Sequence, residues 1–92
     1  MSEYVTIETR PTANADVLEV LTNQTLTEAV ETYANFDAGD QGSPIAQMLF
    51  NGVDGLAALT ITRNALTITR QPDVPWEAIV DEVRDALRDF FL

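Results

Sequence analysis

The chain has 92 residues, which leaves room for one domain near the small end of what folds without staples. Its 46% apolar and 22% charged composition suits a globular chain and excludes global disorder, and no apolar run approaches the length of a membrane span. Fifteen acidic residues against five basic ones give a formal charge of −10, which argues against nucleic acid or anionic lipid as partners.

What is missing bears most directly on chemistry. With no Cys there is no disulfide, no thiolate nucleophile and no thiolate ligand for a cluster or a zinc ion. With no His, the commonest general base and the commonest transition-metal ligand are gone as well. The expectation is a protein that is not an enzyme and carries no cofactor or metal. A carboxylate enzyme is the remaining catalytic reading, and it requires two acids close together in a cleft with separated pKa values. Every basic residue is Arg (Arg10, Arg63, Arg70, Arg84 and Arg88) and Lys is absent. Charge self-repulsion of this kind weakens a compact state at low salt and fades above about 1 M, where the Debye length is about 3 Å. The composition therefore suits a high-salt cytoplasm. Met1-Ser2-Glu3-Tyr4 lacks the basic and apolar regions of a secretion signal, so a soluble cytoplasmic protein is expected.

Residues 4–9 alternate Val5 and Ile7 with polar neighbours, the period of a half-buried strand. Arg10 to Asp16 contains Pro11, Asn14 and Asp16 and reads as a loop, followed by a second short strand over 17–21. From Leu26 to Phe36 two readings stand. Leu26, Ala29, Val30, Tyr33 and Ala34 fall at helical spacing, whereas 32–36 also suits an edge strand; the local pattern slightly prefers helix. Asp37 to Gly42 reads as a flexible acidic loop without the ligand spacing of a calcium site. Ser43 then supplies an N-cap and Pro44 the first position of a short helix with Ile45, Met48 and Leu49 as its apolar stripe, ended by Gly52 or Gly55. Residues 56–62 and 66–70 are two Thr-rich strands of a hairpin turning at Arg63-Asn64-Ala65. In the last helix Asp73 is the expected cap, with Pro75 in the first turn. Trp76, Ile79, Val80, Val83, Leu87, Phe90 and Phe91 form one apolar face. Its polar face offers Asp81–Arg84 and Asp85–Arg88 pairs at i,i+3 and a repelling stack of Asp81, Asp85 and Asp89 at i,i+4.

The ordered series carries a resemblance. The extended start, the segment Thr32-Tyr33-Ala34-Asn35-Phe36, the run Gly42-Ser43-Pro44-Ile45-Ala46-Gln47-Met48-Leu49-Phe50 and the Gly-Val-Asp-Gly turn at 52–55 match best. With the acidic, Pro-containing turn before Trp76, they resemble the N-terminal domain of NifU-like (Nfu) iron–sulfur scaffold proteins across nearly the whole chain. The resemblance implies a single α+β domain over 1–92 with a mainly antiparallel sheet of about five strands. The implied order is β-β-β-α-β-β-α with helices on one face, which makes 31–36 a strand. The family's first loop typically reads Thr-Pro-Asn-Pro and its next strand ends in Lys-Phe. Here the loop is Thr9-Arg10-Pro11-Thr12-Ala13-Asn14 and Glu19-Val20 stands at the strand.

In that family a separate domain holds the Cys-x-x-Cys pair. The resemblance therefore implies an accessory or docking module of iron–sulfur cluster assembly, a stand-alone form whose partners are assembly proteins and which does not ligate the cluster. The candidate partner-binding residues are Thr9, Arg10, Pro11 and Asn14, because loops on rigid scaffolds concentrate binding groups and Arg10 is a rare cation here. The plainer reading of Arg10 is an ion pair with a nearby acid. The alternative function is a small-ligand-binding regulatory domain using the open face of the sheet, which needs a concave pocket with convergent polar groups.

Overall fold

The computed structural model describes residues 5–91. Its elements are β1 (Ile7–Pro11), β2 (Val17–Thr22), β3 (Glu31–Tyr33), α1 (Phe36–Asp40), α2 (Pro44–Gly52), β4 (Leu56–Ile61), β5 (Ala65–Arg70) and α3 (Trp76–Phe90). The strands form one antiparallel sheet in the order β1-β2-β5-β4-β3. This is the expected α+β architecture with one more helix than the sequence pattern gave.

Strand alternation sorts the side chains onto two faces. Val20 lies opposite Leu66, Leu66 opposite Ile61, and Ile68 opposite Leu59; all are buried beneath the helices. The residues between them form a row across the other face, Arg10–Glu19–Thr67–Thr60–Thr32, one from each strand. A register shift between Leu56 and Ala58 inserts an extra residue in β4. It lets Leu56 and Leu59, three apart, both reach the core, which strict alternation would forbid.

The helices follow from their caps. Ser43 Oγ accepts from the Ala46 N–H at 3.4 Å and Pro44 opens α2, as the sequence predicts. The buried stripe of α2 is Ile45, Ala46, Leu49 and Phe50, with Met48 half-buried on its flank and not central to it. The segment expected to be a flexible loop at 37–42 holds α1 instead. Asn35 Oδ1 accepts from the Ala38 N–H at 2.9 Å and caps it, and the absence of a side chain at Gly39 lets it close on α2. A Cβ on Gly39 would lie 2.0 Å from Phe50 Cδ2.

β3 runs from Glu31 to Tyr33, the first half of the strand that the resemblance implies over 31–36, in a segment where local spacing prefers helix. The strand stops short because Asn35 caps α1 and Phe36 opens it. What overrides the spacing is pairing with β4 and a cluster of hydroxyls on one carboxylate. Glu31 accepts from Thr27 Oγ1 at 2.7 Å, from Ser43 Oγ at 2.6 Å and from the Tyr33 hydroxyl. Tyr33 in turn accepts from the Ser43 N–H at 3.2 Å, tying β3 to the start of α2. Burial pushes the Glu31 pKa up, but the hydrogen bonds from Ser43, Tyr33 and Thr27 outweigh it and hold the carboxyl below its ordinary 4.5.

α3 buries Ile79, Val83 and Leu87, each worth about 2 kcal/mol before entropy is subtracted. Phe90, expected in the core, is 41% exposed and stacks edge-on against Phe91. Asp73 does not cap this helix. Pro75 is the N-cap residue and makes no side-chain cap bond, while Asp73 occupies the left-handed region at φ 69° in the preceding turn. The two predicted ion pairs form on the polar face, Asp81–Arg84 at 3.1 Å and Asp85–Arg88 at 3.9 Å. Among the described residues no helix is long and apolar enough to cross a membrane.

Candidate docking site

The four candidate residues do not lie on one loop. Thr9, Arg10 and Pro11 belong to β1, an edge strand, and only Asn14 lies in the turn that follows; Tyr4, expected to begin that strand, lies outside the described residues. Thr9 and Pro11 pair with Val20 and Leu18 and so point to the helix side, whereas Arg10 points to the open side opposite Glu19. No ion pair to Arg10 forms among the described residues within 4.0 Å. All four side chains are exposed.

Asn14 has a structural task. Its Oδ1 accepts from the Asp16 N–H at 2.9 Å, its N–H donates to Thr12 Oγ1 at 3.1 Å, and its carbonyl accepts from the Val17 N–H at 3.0 Å. These bonds close the turn locally, in the manner Asn favours. Thr12 Oγ1 adds a bond to the Val17 carbonyl at 2.8 Å.

The turn is also held from below by residues far away in sequence. Arg70, the last residue of β5, reaches Asp16 with Nε at 3.1 Å and the Val74 carbonyl with its guanidinium at 3.1 Å. Its backbone N–H donates to the Asp16 carbonyl at 2.9 Å. Trp76, the first residue of α3, donates Nε1–H to the Ala15 carbonyl at 2.9 Å, and Arg70 Cζ lies 5.3 Å from the centre of its ring. The helical period places Trp76 on the packing face, and nothing in the sequence pattern marks Arg70. The available signal was a Trp at the start of a helix, where an indole has an apolar ring to bury and an N–H that needs an acceptor.

Two hollows lie away from the centre of the open face. One, about 360 Å³, opens between α2 and α3 and is lined by Met48, Gly52, Glu82, Asp85, Ala86 and Asp89. Another, about 450 Å³, wraps the end of β1 and β2 at Ile7, Leu21 and Thr22. The acids that share a cleft are Glu82, Asp85 and Asp89 in the first hollow, whereas the hydrogen-bond partners of the Glu31 carboxylate are the hydroxyls of Thr27, Tyr33 and Ser43. Among the described residues no group of three or more acids converges to hold a metal ion.

A five-stranded antiparallel sheet with three helices on one face and a pinned first turn defines a small α+β domain. A family model described as "Scaffold protein Nfu/NifU N terminal" matches residues 7–92, and the chain belongs to that family. It is 32% identical over 87 residues to the "NFU1 iron-sulfur cluster scaffold homolog, mitochondrial" of Drosophila persimilis. That match takes in 92% of this chain but only 30% of the relative's length. Among solved structures it resembles the NifU-like protein from Saccharomyces cerevisiae, with a TM-score of 0.75 and 28% identity over 94% of this chain and 77% of that one. The protein SAV1430 from Staphylococcus aureus shares the fold, with a TM-score of 0.70 and 14% identity over 88% of this chain and 96% of that one.

Proposed function

We propose that this domain serves iron–sulfur cluster assembly as a docking module, engaging assembly proteins without catalysing a reaction or ligating the cluster. Family membership over residues 7–92 carries the reading, and the complete lack of Cys and His supports the second half of it. A cluster is cargo held by thiolates, and this chain has none to offer. The acidic, Lys-free composition fits work in a cytoplasm of high salt.

The docking surface in this reading is the β1 edge and its turn. The edge suits side-chain contact better than strand addition, because Pro11 lacks a backbone donor and Arg10 charges the rim. The bonds from Arg70 and Trp76 fix the turn before any partner arrives, which lowers the entropy lost on docking. Arg10, opposite Glu19 and open to solvent, gains most from a bidentate contact with a partner's carboxylate.

The test is affinity capture from native lysate at high salt, with the unaltered protein and the Arg10→Ala, Pro11→Gly double variant. The reading expects recovery of scaffold or cysteine-desulfurase components by the unaltered protein, and loss of that recovery by the variant at nearly unchanged stability. Recovery of unrelated proteins alone would refute the assembly role. Capture that survives the substitutions, or declines only in step with stability, would move the binding surface away from β1.

A further inference from the structure

The groove between α2 and α3 has a largely apolar floor and an acidic rim. Met48 is half-buried against the core, Ala86 lies beside it, and Gly52 contributes no side chain. Glu82, Asp85 and Asp89 stand at i, i+3 and i+7 along α3, the spacing that aligns side chains on one stripe. Glu82 is held in place by the Asp54 N–H, which donates to Oε1 at 3.1 Å. α2 ends at this groove without a basic residue in its last turn, so its partial negative end adds to the same field. Among the described residues no cation lines the groove. Arg88, 57% exposed, pairs loosely with one rim acid, Asp85, at 3.9 Å.

We infer that this groove receives a basic amphipathic helical segment of a partner protein, with an apolar side chain on Met48 and Ala86 and Lys or Arg heads against the acidic stripe. Charge complementarity selects that occupant. A second copy of this chain fits poorly, because it has five Arg, no Lys and its own amphipathic helix is acidic on the exposed side. A metal ion is not indicated, since among the described residues no three acids converge on one point. At about 360 Å³ the open groove has space for side chains, near the low end of small-molecule pockets of roughly 300–1,000 Å³. This adds a second contact, of opposite charge, to the docking reading on which it rests.

Gly52 makes the inference testable without damage to the fold. A Cβ there would meet nothing within 4 Å, and Gly52 is not at positive φ. Gln is also a better helix former than Gly. Gly52→Gln should therefore fill the groove while leaving the thermal midpoint equal or higher. The probe is a short synthetic Leu/Lys amphipathic peptide, titrated at about 0.15 M salt, where the Debye length is about 8 Å. Binding is followed by backbone amide chemical shifts. We expect saturable binding with shifts concentrated on Met48–Gly52 and Glu82–Asp89. Gly52→Gln, and separately the pair Asp85→Asn with Asp89→Asn, should each weaken it at least tenfold, about 1.4 kcal/mol. The control pair Glu8→Gln with Glu28→Gln removes the same charge, lies outside the groove lining and should change binding less than twofold. No saturable binding, shifts scattered over the surface, or a control pair as harmful as the groove pair would each overturn the inference. Those results would leave the assembly reading standing, because capture of assembly proteins is scored independently of the peptide.

Discussion

The indole Nε1–H of Trp76 donates to the main-chain carbonyl of Ala15 at 2.9 Å, across 61 positions of sequence. The bond joins the first residue of α3 to the turn between β1 and β2. Together with the Arg70–Asp16 pair it makes one unit of three elements that no helical or strand periodicity brings together. The turn is thus tied down by residues from the other end of the chain.

Trp76→Phe keeps a ring near Arg70 and removes the donor. The expected loss is about 1 kcal/mol, the net worth of one hydrogen bond. That corresponds to a fall of about 4–8 °C in the thermal midpoint for a chain of this size. Amide hydrogen exchange should quicken at Asp16 and Val17, whose N–H groups are bonded within the turn, while Leu66 and Ile68 stay protected. A uniform loss of protection across the sheet would show that the indole stabilises the fold globally and does not pin the turn.

Gly55 and Gly52 should respond in opposite directions to the same change. Gly55 sits at φ 88°, and a Cβ on it would lie 2.6 Å from Val74 Cγ1, so Gly55→Ala meets both backbone strain and a clash. We expect a loss of about 2 kcal/mol or more in urea-melt stability. Gly52→Ala meets neither and should gain up to about 1 kcal/mol from helix propensity. Equal effects at the two sites would contradict the backbone geometry at Gly55.

Much of this fold was legible because its elements announce themselves locally. The Ser43-Pro44 start of α2, the hairpin of β4 and β5 and the Ile79–Val83–Leu87 stripe each need only neighbours in sequence to be read. The loop expected at 37–42 is a helix for a different cause: α1 exists because Gly39 can approach Phe50, a contact that leaves no period in the sequence. The strand that the resemblance implies at 31–36 does form, over Glu31–Tyr33, and it wins over the local helical spacing through pairing with β4 and the hydroxyls of Thr27, Tyr33 and Ser43 on Glu31. At the candidate site the residue types were readable and their placement was not. Arg10 and Pro11 carry loop-like signals, yet pairing with Glu19 and Leu18 draws them into an edge strand.

Salt should act through identifiable charges. Asp89 lies in the last turn of α3, where the helix dipole disfavours an anion, and one turn after Asp85 on the same face. Asp89→Asn should therefore stabilise the protein by about 0.5 kcal/mol at low ionic strength. Above about 1 M KCl, where the Debye length is about 3 Å, the gain should vanish. The unaltered protein should meanwhile melt several degrees higher in about 2 M KCl than in about 0.1 M, as screening removes the self-repulsion of a −10 chain. A midpoint that stays flat or falls over that range would remove the case for high-salt adaptation.

Acid should loosen β3 through Glu31. Its folded-state pKa lies below the ordinary 4.5, because the hydrogen bonds from Ser43, Tyr33 and Thr27 outweigh the burial that pushes it up. A carboxyl whose pKa is lowered by folding contributes stability above its unfolded pKa and loses that contribution as pH falls through the folded value. Glu31→Gln removes the charge, and an amide presents only one oxygen and two unwanted donors to the three hydroxyls. At pH 7 the variant should be less stable by about 1.5 kcal/mol, in the range for hydrogen bonds to charged groups. As pH drops below about 4.5 and Glu31 protonates, the two proteins should converge, because the unaltered carboxyl then also becomes a donor. Urea melts of both proteins from pH 7 downward measure that gap directly. A difference that stays constant through the acid range would mean that Glu31 acts through packing, with its ionisation irrelevant to the β3–α2 junction.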